Sequence, residues 1–288
     1  MLKIKNEKML GIIFIIMAAF CFSLMTLFVR LASDVPTMQK AFFRNAIAAV
    51  IAIVLLAKSS EGFKIKKGSM WMLFMRAAFG TAGLILNFWA IDHLVLADAN
   101  ILNKLSPFFA IVMSVFILKE VPTKLEWLLV IMAFTGAVFV VKPTAGLASI
   151  PALAGALSGF GAGTAYSFVR RLGKHGERGA VIVCFFSLFS TAVTLPFIVL
   201  SFYPMTVLQT VYLIFAGISA AGGQLSITAA YTHAPAKEIS VFDYSQVVFA
   251  ALLGFAVFAE IPDVFSFIGY AIIIVTAIVK WWIALGKS

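Results

Sequence analysis

The 288-residue chain is 62% hydrophobic and only 12% charged, and its formal net charge is +10. A soluble domain is about half apolar, so this composition is typical of an integral membrane protein. The positive charge does not indicate a nucleic-acid-binding surface, because Lys and Arg lie in short segments between apolar runs. Cys21 and Cys184 lie inside such runs, and we interpret them as small buried side chains.

Apolar runs long enough to cross a membrane recur along nearly the whole chain. A hydrocarbon core about 30 Å thick requires about 20 residues of α-helix. We therefore predict an all-α integral membrane protein with ten transmembrane helices. The predicted spans, numbered 1 to 10, cover residues 10–29, 41–57, 70–91, 97–118, 125–141, 152–169, 180–201, 207–231, 239–258 and 264–283.

The distribution of basic residues predicts the orientation of the spans. With the N-terminus inside, Lys and Arg concentrate on the cytoplasmic side, and the opposite side keeps little more than Arg30, Lys40 and Lys142. Basic loops face the cytoplasm in most membrane proteins. We expect a multi-pass protein of the cell (cytoplasmic) membrane whose N- and C-termini are both cytoplasmic. The first span resembles a signal peptide but lacks a small-residue cleavage site, so we expect it to stay uncleaved.

The sequence repeats itself with an offset of 140 residues. Residues 97–122 align with residues 237–262, and Glu120 and Pro122 meet Glu260 and Pro262. Each copy holds five spans, an odd number, so the second copy must enter the membrane from the opposite side. We predict an inverted 5+5 repeat. Its parts are a cytoplasmic tail (1–9), a first repeat (10–142), a linker (143–151), a second repeat (152–284) and a tail (285–288).

Several motifs occur in a characteristic order along this repeat. Arg44 lies early in span 2, Arg76 lies in span 3, and the Leu-Ser-Pro-Phe sequence of residues 105–108 precedes Glu120 at the end of span 4. The chain resembles the drug/metabolite transporter superfamily, in its EamA-like ten-span branch, over essentially its whole length. The resemblance implies an exporter or exchanger of small metabolites with a central cavity lined by both repeats. Spans 5 and 10 would be peripheral.

Lys104 and Asp243 are charged residues predicted deep in spans 4 and 9. A charge at the bilayer centre costs at least about 2.5–3.5 kcal/mol, so it usually faces a cavity or a partner. Lys104 either binds an anionic group of a substrate, or it reaches the outer interface or forms a structural pair. Asp243 either takes up a proton or a substrate amine, or is a structural acid. About 10 Å of height is expected between their backbones, so a direct pair requires tilted helices or an inward-reaching lysine.

Further polar residues suggest a lined cavity. Arg44 and Arg76 either hold a carboxylate or snorkel to headgroups, with gating contacts as a further role for Arg76. Trp89 either packs a planar substrate or anchors a span end. The glycines of span 6 permit close packing inside the chain or across a homodimer seam. Uncharged polar groups that serve either substrate contact or interhelical hydrogen bonds are Asn87, Asn103, Tyr166, Gln224, Tyr244 and Gln246.

No catalytic constellation is present in the sequence, so an enzyme is not expected, nor are a cofactor or a metal. We predict a secondary transporter that exports or exchanges a small polar or zwitterionic metabolite, such as an amino acid, by alternating access. A passive small-solute channel and an intramembrane lipid-modifying enzyme are the alternatives. The expected partners are a small-molecule substrate and the lipid bilayer, not nucleic acid. Protons and a second copy of the chain remain candidates.

Overall fold

The computed structural model describes residues 2–93, 101–141, 149–259 and 261–286. Within these ranges the chain consists of helices and short connections, without strands. Nine described helical segments are long and apolar enough to cross a membrane. The segment Ile150–His175 has 26 residues and is less apolar, because it is rich in glycine and ends in basic residues. The prediction of an all-α membrane protein is confirmed.

The helices follow the predicted spans closely. Span 1 is Leu2–Leu31, span 2 is Thr37–Ala57, span 3 is Met70–His93, span 5 is Lys124–Val141, span 6 is Ile150–His175, span 7 is Gly179–Leu200, span 8 is Val207–His233 and span 10 is Val264–Gly286. Span 4 consists of helical residues 101–103, a turn at 104–105 and the helix Ser106–Leu118. Span 9 consists of the helix Ala236–Ile239, the 3-10 helix Ser240–Tyr244 and the helix Ser245–Phe258.

The largest difference in boundaries is at span 1, which was predicted to begin at residue 10. The helix reaches back to Leu2, because Leu, Lys, Glu and Met all favour helix and Lys8 pairs with Glu238 at 3.1 Å. Residues 97–100 of predicted span 4, 143–148 of the linker and 287–288 of the C-terminal tail lie outside the described residues.

The packing of the spans has two-fold symmetry. Span 1 packs along span 8 as span 3 packs along span 6, and span 9 contacts span 1 as span 4 contacts span 6. Spans 2 and 7 pack together, and so do spans 5 and 10. Lys119 and Ala259, which are 140 residues apart, both end their helices with a positive φ, 59° and 52°. The pattern of contacts between spans is therefore the same when the two halves are exchanged, as an inverted repeat requires.

The glycines of span 6 pack against spans 3 and 4. A Cβ atom at Gly163 would lie 2.5 Å from the backbone nitrogen of Ala110, and one at Gly161 would lie 2.8 Å from the carbonyl oxygen of Phe79. Small residues let helix backbones approach closely. In a membrane the hydrophobic effect does not drive helices together, so this close packing is a main source of their association. The glycine-rich face is therefore occupied within the chain, and it holds together the helices that surround the site described next.

A candidate substrate site between the two repeats

Spans 4 and 9 are interrupted at equivalent positions. The turn at Lys104 precedes Pro107, whose ring clashes with the carbonyl of the residue four positions earlier and which has no N–H to donate. In span 9 the interruption is the 3-10 helix that ends at Tyr244, 140 residues after Lys104. The Tyr244 hydroxyl donates a hydrogen bond to the Lys104 carbonyl at 3.0 Å. The two interruptions thus touch each other in the middle of the protein.

A polar triad forms where the interrupted spans cross. Lys104 Nζ donates to Gln246 Oε1 at 2.6 Å and lies 3.4 Å from Asp243 Oδ2. The Lys104 and Asp243 side chains are only 14% and 9% exposed. The two side chains form this pair despite the difference in height expected between their backbones, and both spans are interrupted at these residues. A buried cation and a buried carboxylate are therefore paired beside a cavity.

The cavity has a volume of about 490 Å³ and is lined by spans from both repeats. This volume is typical of a site for a small molecule. The lining includes nine residues that the sequence singled out: Arg44, Arg76, Asn87, Asn103, Lys104, Tyr166, Gln224, Asp243 and Gln246. Asn103 also donates to Ser158 Oγ at 3.0 Å, which ties span 4 to span 6.

Two predicted site residues are not part of this lining. Tyr244 is fully buried, and its hydroxyl donates a hydrogen bond to the Lys104 carbonyl. Trp89 is 39% exposed and packs on the ring of His93, with 4.4 Å between the ring centroids. Tyr244 therefore stabilises the junction of the spans, whereas Trp89 lies on the outer surface of span 3.

Arg76 is buried in the wall of the cavity and does not extend to a headgroup region. Only 2% of the residue is exposed. Its Nη2 donates to Gln224 Oε1 at 3.0 Å, and its Cζ lies 3.9 Å from the centroid of the Phe186 ring. Gly80, one turn along span 3, leaves room for the guanidinium, since a Cβ there would collide with Nη1. The sequence did not indicate that Phe186 supports this arginine.

Among the described residues, the lining of the cavity extends toward one face of the protein. Its lining extends to Arg30, Ser33, Thr37 and Lys40, around the connection between spans 1 and 2. We call this side the open face, and we call the side where span 1 begins the N-terminal face. Deeper in, the ring of Tyr166 stacks on that of Tyr231 at 4.9 Å. The aromatic pair lies between the cavity and the N-terminal face.

Two groups of ion pairs close the N-terminal face. In the first, Lys280 lies 3.1 Å from Glu238 and 3.4 Å from Glu126, and Glu238 also pairs with Lys8. These contacts join spans 1, 5, 9 and 10. In the second, Arg170 Nε lies 3.3 Å from Glu120, and Arg170 Nη1 donates to the carbonyl oxygen of Thr232 at 2.7 Å.

The pairing of Lys280 with Glu126 was missed in the sequence analysis. Lys280 interrupts the apolar run of span 10, and Glu126 is the acidic residue in the first turn of span 5. A lysine within a membrane span is itself a signal of a buried partner. Spans 5 and 10 are thus peripheral to the cavity but contribute to closing one face.

Interrupted spans that meet beside a polar cavity near the middle of an inverted repeat are characteristic of secondary transporters. Residues 9–142 and 149–281 each match the model of the EamA-like transporter family. The chain belongs to this family, which is part of the drug/metabolite transporter superfamily, and it is a transporter and not an enzyme.

Relatives of known name match nearly the whole chain. It is 32% identical over 272 residues to the pseudopaline exporter CntI of Pseudomonas aeruginosa, covering 93% of this chain and 94% of the relative. It is 26% identical to human solute carrier family 35 member G1, covering 95% and 80%. It is 25% identical to the riboflavin transporter of Vibrio cholerae, covering 98% and 96%. The names of the first and third relatives refer to different cargoes.

A solved structure described as "Crystal structure of protein" has the same fold. It aligns with a TM-score of 0.82 and covers 95% of this chain and 98% of its own. At 18% identity the likeness concerns the fold alone. The chemistry of the cargo must therefore be inferred from the cavity of this protein.

Proposed function

We propose that this protein exports or exchanges a small zwitterionic metabolite, such as an amino acid, across the cell membrane by alternating access. The observation that carries the proposal is the Lys104–Asp243 pair, which lies beside the cavity where the interrupted spans cross. A zwitterion presents a carboxylate to Lys104 and an ammonium group to Asp243. It can therefore replace the internal ion pair with two ion pairs of its own.

The exchange of partners keeps the buried charges compensated. Removing one member of a buried ion pair leaves a charge without a partner, which is strongly unfavourable. A zwitterion that inserts between Lys104 and Asp243 avoids this cost, whereas a neutral solute has no charge to offer either residue. Gln246, which already accepts from Lys104, and Asn103 supply neighbouring hydrogen-bonding groups. The pair thus favours charged solutes over neutral ones of the same size.

The arrangement of the two faces supports alternating access over a passive channel. The described lining reaches the open face, whereas ion pairs and the stacked Tyr166 and Tyr231 close the N-terminal face. We propose that the N-terminal face is the cytoplasmic one, which the concentration of basic residues on that side supports, and that the open face is the outer one. We propose that the two repeats rock about the cavity and break the Arg170–Glu120 pair when the N-terminal face opens.

Counterflow of labelled amino acids into proteoliposomes tests this proposal. Wild-type protein is expected to show saturable exchange. Lys104→Met and Asp243→Asn are each expected to lose it, because each leaves one charge of the pair without its partner. Lys67→Met, on an exposed residue in the loop between spans 2 and 3, is the matched control and is expected to exchange normally. Size-exclusion profiles establish that every variant is folded.

The double variant Lys104→Met/Asp243→Asn separates binding from folding. It removes both charges together, so it is expected to be more stable than either single variant yet equally inactive. Undiminished exchange in both single variants would refute the assignment of the site. Flux that rises linearly with solute concentration, without counterflow, would identify a channel instead.

A further inference from the structure

We propose that Arg44 and Arg76 form a second anion subsite in the same cavity, and that the substrate therefore carries a second acidic group and is a net anion. The inference rests on the proposed function, because it describes another part of the same substrate. It narrows the cargo from zwitterions in general to amino acids or related compounds with at least two acidic groups.

The first step of the argument is the balance of charge around the cavity. Among the described residues that line the cavity, spans 2, 3 and 4 contribute three cations, Arg44, Arg76 and Lys104, whereas the carboxylate there is that of Asp243. Asp243 is already paired with Lys104. A single zwitterion brings one negative and one positive charge, so it leaves this excess of positive charge unchanged.

The second step is the state of the two arginines inside the membrane. Within the described part of the chain, neither Arg44 nor Arg76 forms an ion pair with a carboxylate, and the buried Nε of each has no hydrogen-bond partner. A guanidinium held inside a membrane protein is costly unless an anion or a hydrogen-bonding group compensates it. The guanidinium N–H groups of Arg44 and Arg76 that have no partner can donate hydrogen bonds to an acidic group of the substrate.

The third step is the rigid presentation of Arg76. The guanidinium is supported on one face by Phe186, and one of its nitrogens is fixed by Gln224. Gly80 provides the space that this position requires. A planar guanidinium fixed in this way loses little freedom on binding and matches the geometry of a carboxylate. Arg76 is therefore held in a fixed orientation in which its guanidinium can bind an acidic group.

The fourth step is that both subsites belong to one compartment. Tyr166, Arg44, Arg76 and Asp243 all line the same cavity. The oxygen of the Asn87 side chain, also in the lining, is buried and has no hydrogen-bond partner among the described residues. One molecule small enough for about 490 Å³ can therefore reach the Lys104–Asp243 pair and the arginines together.

Thermal unfolding of the purified protein with matched pairs of ligands tests the subsite. Each pair consists of an amino diacid and its side-chain amide: aspartate with asparagine, glutamate with glutamine, and 2-aminoadipate with its amide. A ligand that binds only the folded protein raises its stability. At least one diacid is expected to half-saturate the stabilisation at a tenfold lower concentration than its amide.

Substitutions then locate the preference. Arg44→Gln and Arg76→Gln are each expected to remove the tenfold preference while changing the affinity for the amide less than twofold. Lys104→Met is expected to weaken the binding of both members of the pair. Arg171→Gln, on an exposed arginine of span 6, is the matched control and should retain the preference.

A variant that keeps every charge provides a second measurement. Gly80→Ala places a methyl group against Nη1 of Arg76 and 2.9 Å from the Phe186 ring, so it displaces the guanidinium. It is expected to lower the preference for the diacid, whereas Gly179→Ala, whose new Cβ lies 3.5 Å from its nearest neighbour, is expected not to. If Arg76→Gln does not fold, Arg44→Gln and Gly80→Ala decide the question.

Three results would overturn the inference. If the diacids and their amides stabilise the protein equally against thermal unfolding, the second subsite is excluded. The proposed function would still stand if counterflow is observed. The absence of protection by every diacid would exclude this substrate class. Arginine-dependent protection by sulfate that equals that of the diacids would assign the subsite to inorganic anions and not to an acidic group of the substrate.

Discussion

The ion pairs of Lys280 provide the sharpest test of how the N-terminal face is held closed. The perturbation is Lys280→Met, which keeps the length and the apolar stem of the side chain and removes the charge. Lys280 is 2% exposed, and the side chains of its partners Glu126 and Glu238 are 5% and 12% exposed. The substitution leaves Glu126 without its cation in a buried position, whereas Glu238 retains Lys8.

The expected loss follows from the burial of these groups. Removing one partner of a buried ion pair costs about 3–5 kcal/mol. Because Lys8 still compensates Glu238, and Glu126 still accepts from the backbone N–H of Thr123 at 2.7 Å, we expect the lower end of this range. About 3 kcal/mol corresponds to a roughly 100-fold decrease in the ratio of folded to unfolded protein.

Unfolding by SDS in mixed micelles, followed by tryptophan fluorescence, measures this free energy. Lys67→Met serves as the control, because the same chemical change is made on an exposed residue. Lys280→Met/Glu126→Gln removes both charges and is expected to recover part of the loss, with a coupling energy of about 0.5–3 kcal/mol. Identical unfolding of Lys280→Met and Lys67→Met would show that the ion pairs contribute nothing, and the reasoning would fail.

Two further predictions concern the packing and the junction of the spans. Gly163→Ala drives a methyl group into the backbone of span 4 and is expected to cost about 1–3 kcal/mol, whereas Gly179→Ala, whose new Cβ makes an ordinary contact at 3.5 Å, should stay within about 1 kcal/mol of wild type in the same unfolding assay. Tyr244→Phe removes the hydrogen bond to the Lys104 carbonyl and is expected to lower stability by about 1–2 kcal/mol. Because Tyr244 is not part of the cavity lining, the half-saturating substrate concentration in counterflow should not change; a tenfold increase would mean that its hydroxyl contacts the substrate.

The sequence was sufficient to predict the fold because the membrane leaves few alternatives. A helix satisfies its backbone hydrogen bonds within the segment, so length and apolarity largely decide where each span lies. The offset of 140 residues predicted which halves correspond, and the left-handed residues Lys119 and Ala259 occur at that offset. The start of span 1 was misplaced because residues 2–9, which include three lysines and a glutamate, continue the helix beyond the apolar run.

The sequence also indicated which side chains face a polar interior. A charged or amide group in an apolar span needs a partner or a cavity, and this rule selected Lys104, Asp243, Gln224 and Arg76 before any contact was known. The rule cannot tell a lining residue from one used in packing. Tyr244 and Gln246 are two residues apart, yet the first is buried under the Lys104 carbonyl and the second lines the cavity.

The sequence by itself thus determined the membrane class, the ten spans and the inverted repeat, because each depends on local apolarity and on internal similarity. Only the tertiary structure showed that Lys104 and Asp243 form a pair, that Phe186 and Gln224 orient Arg76, and that Lys280 joins two glutamates at one face. Most of these contacts join residues more than 100 positions apart, and Lys280 and Glu238 are 42 apart. They depend on where helices are interrupted and how they cross, which apolarity along the chain does not encode.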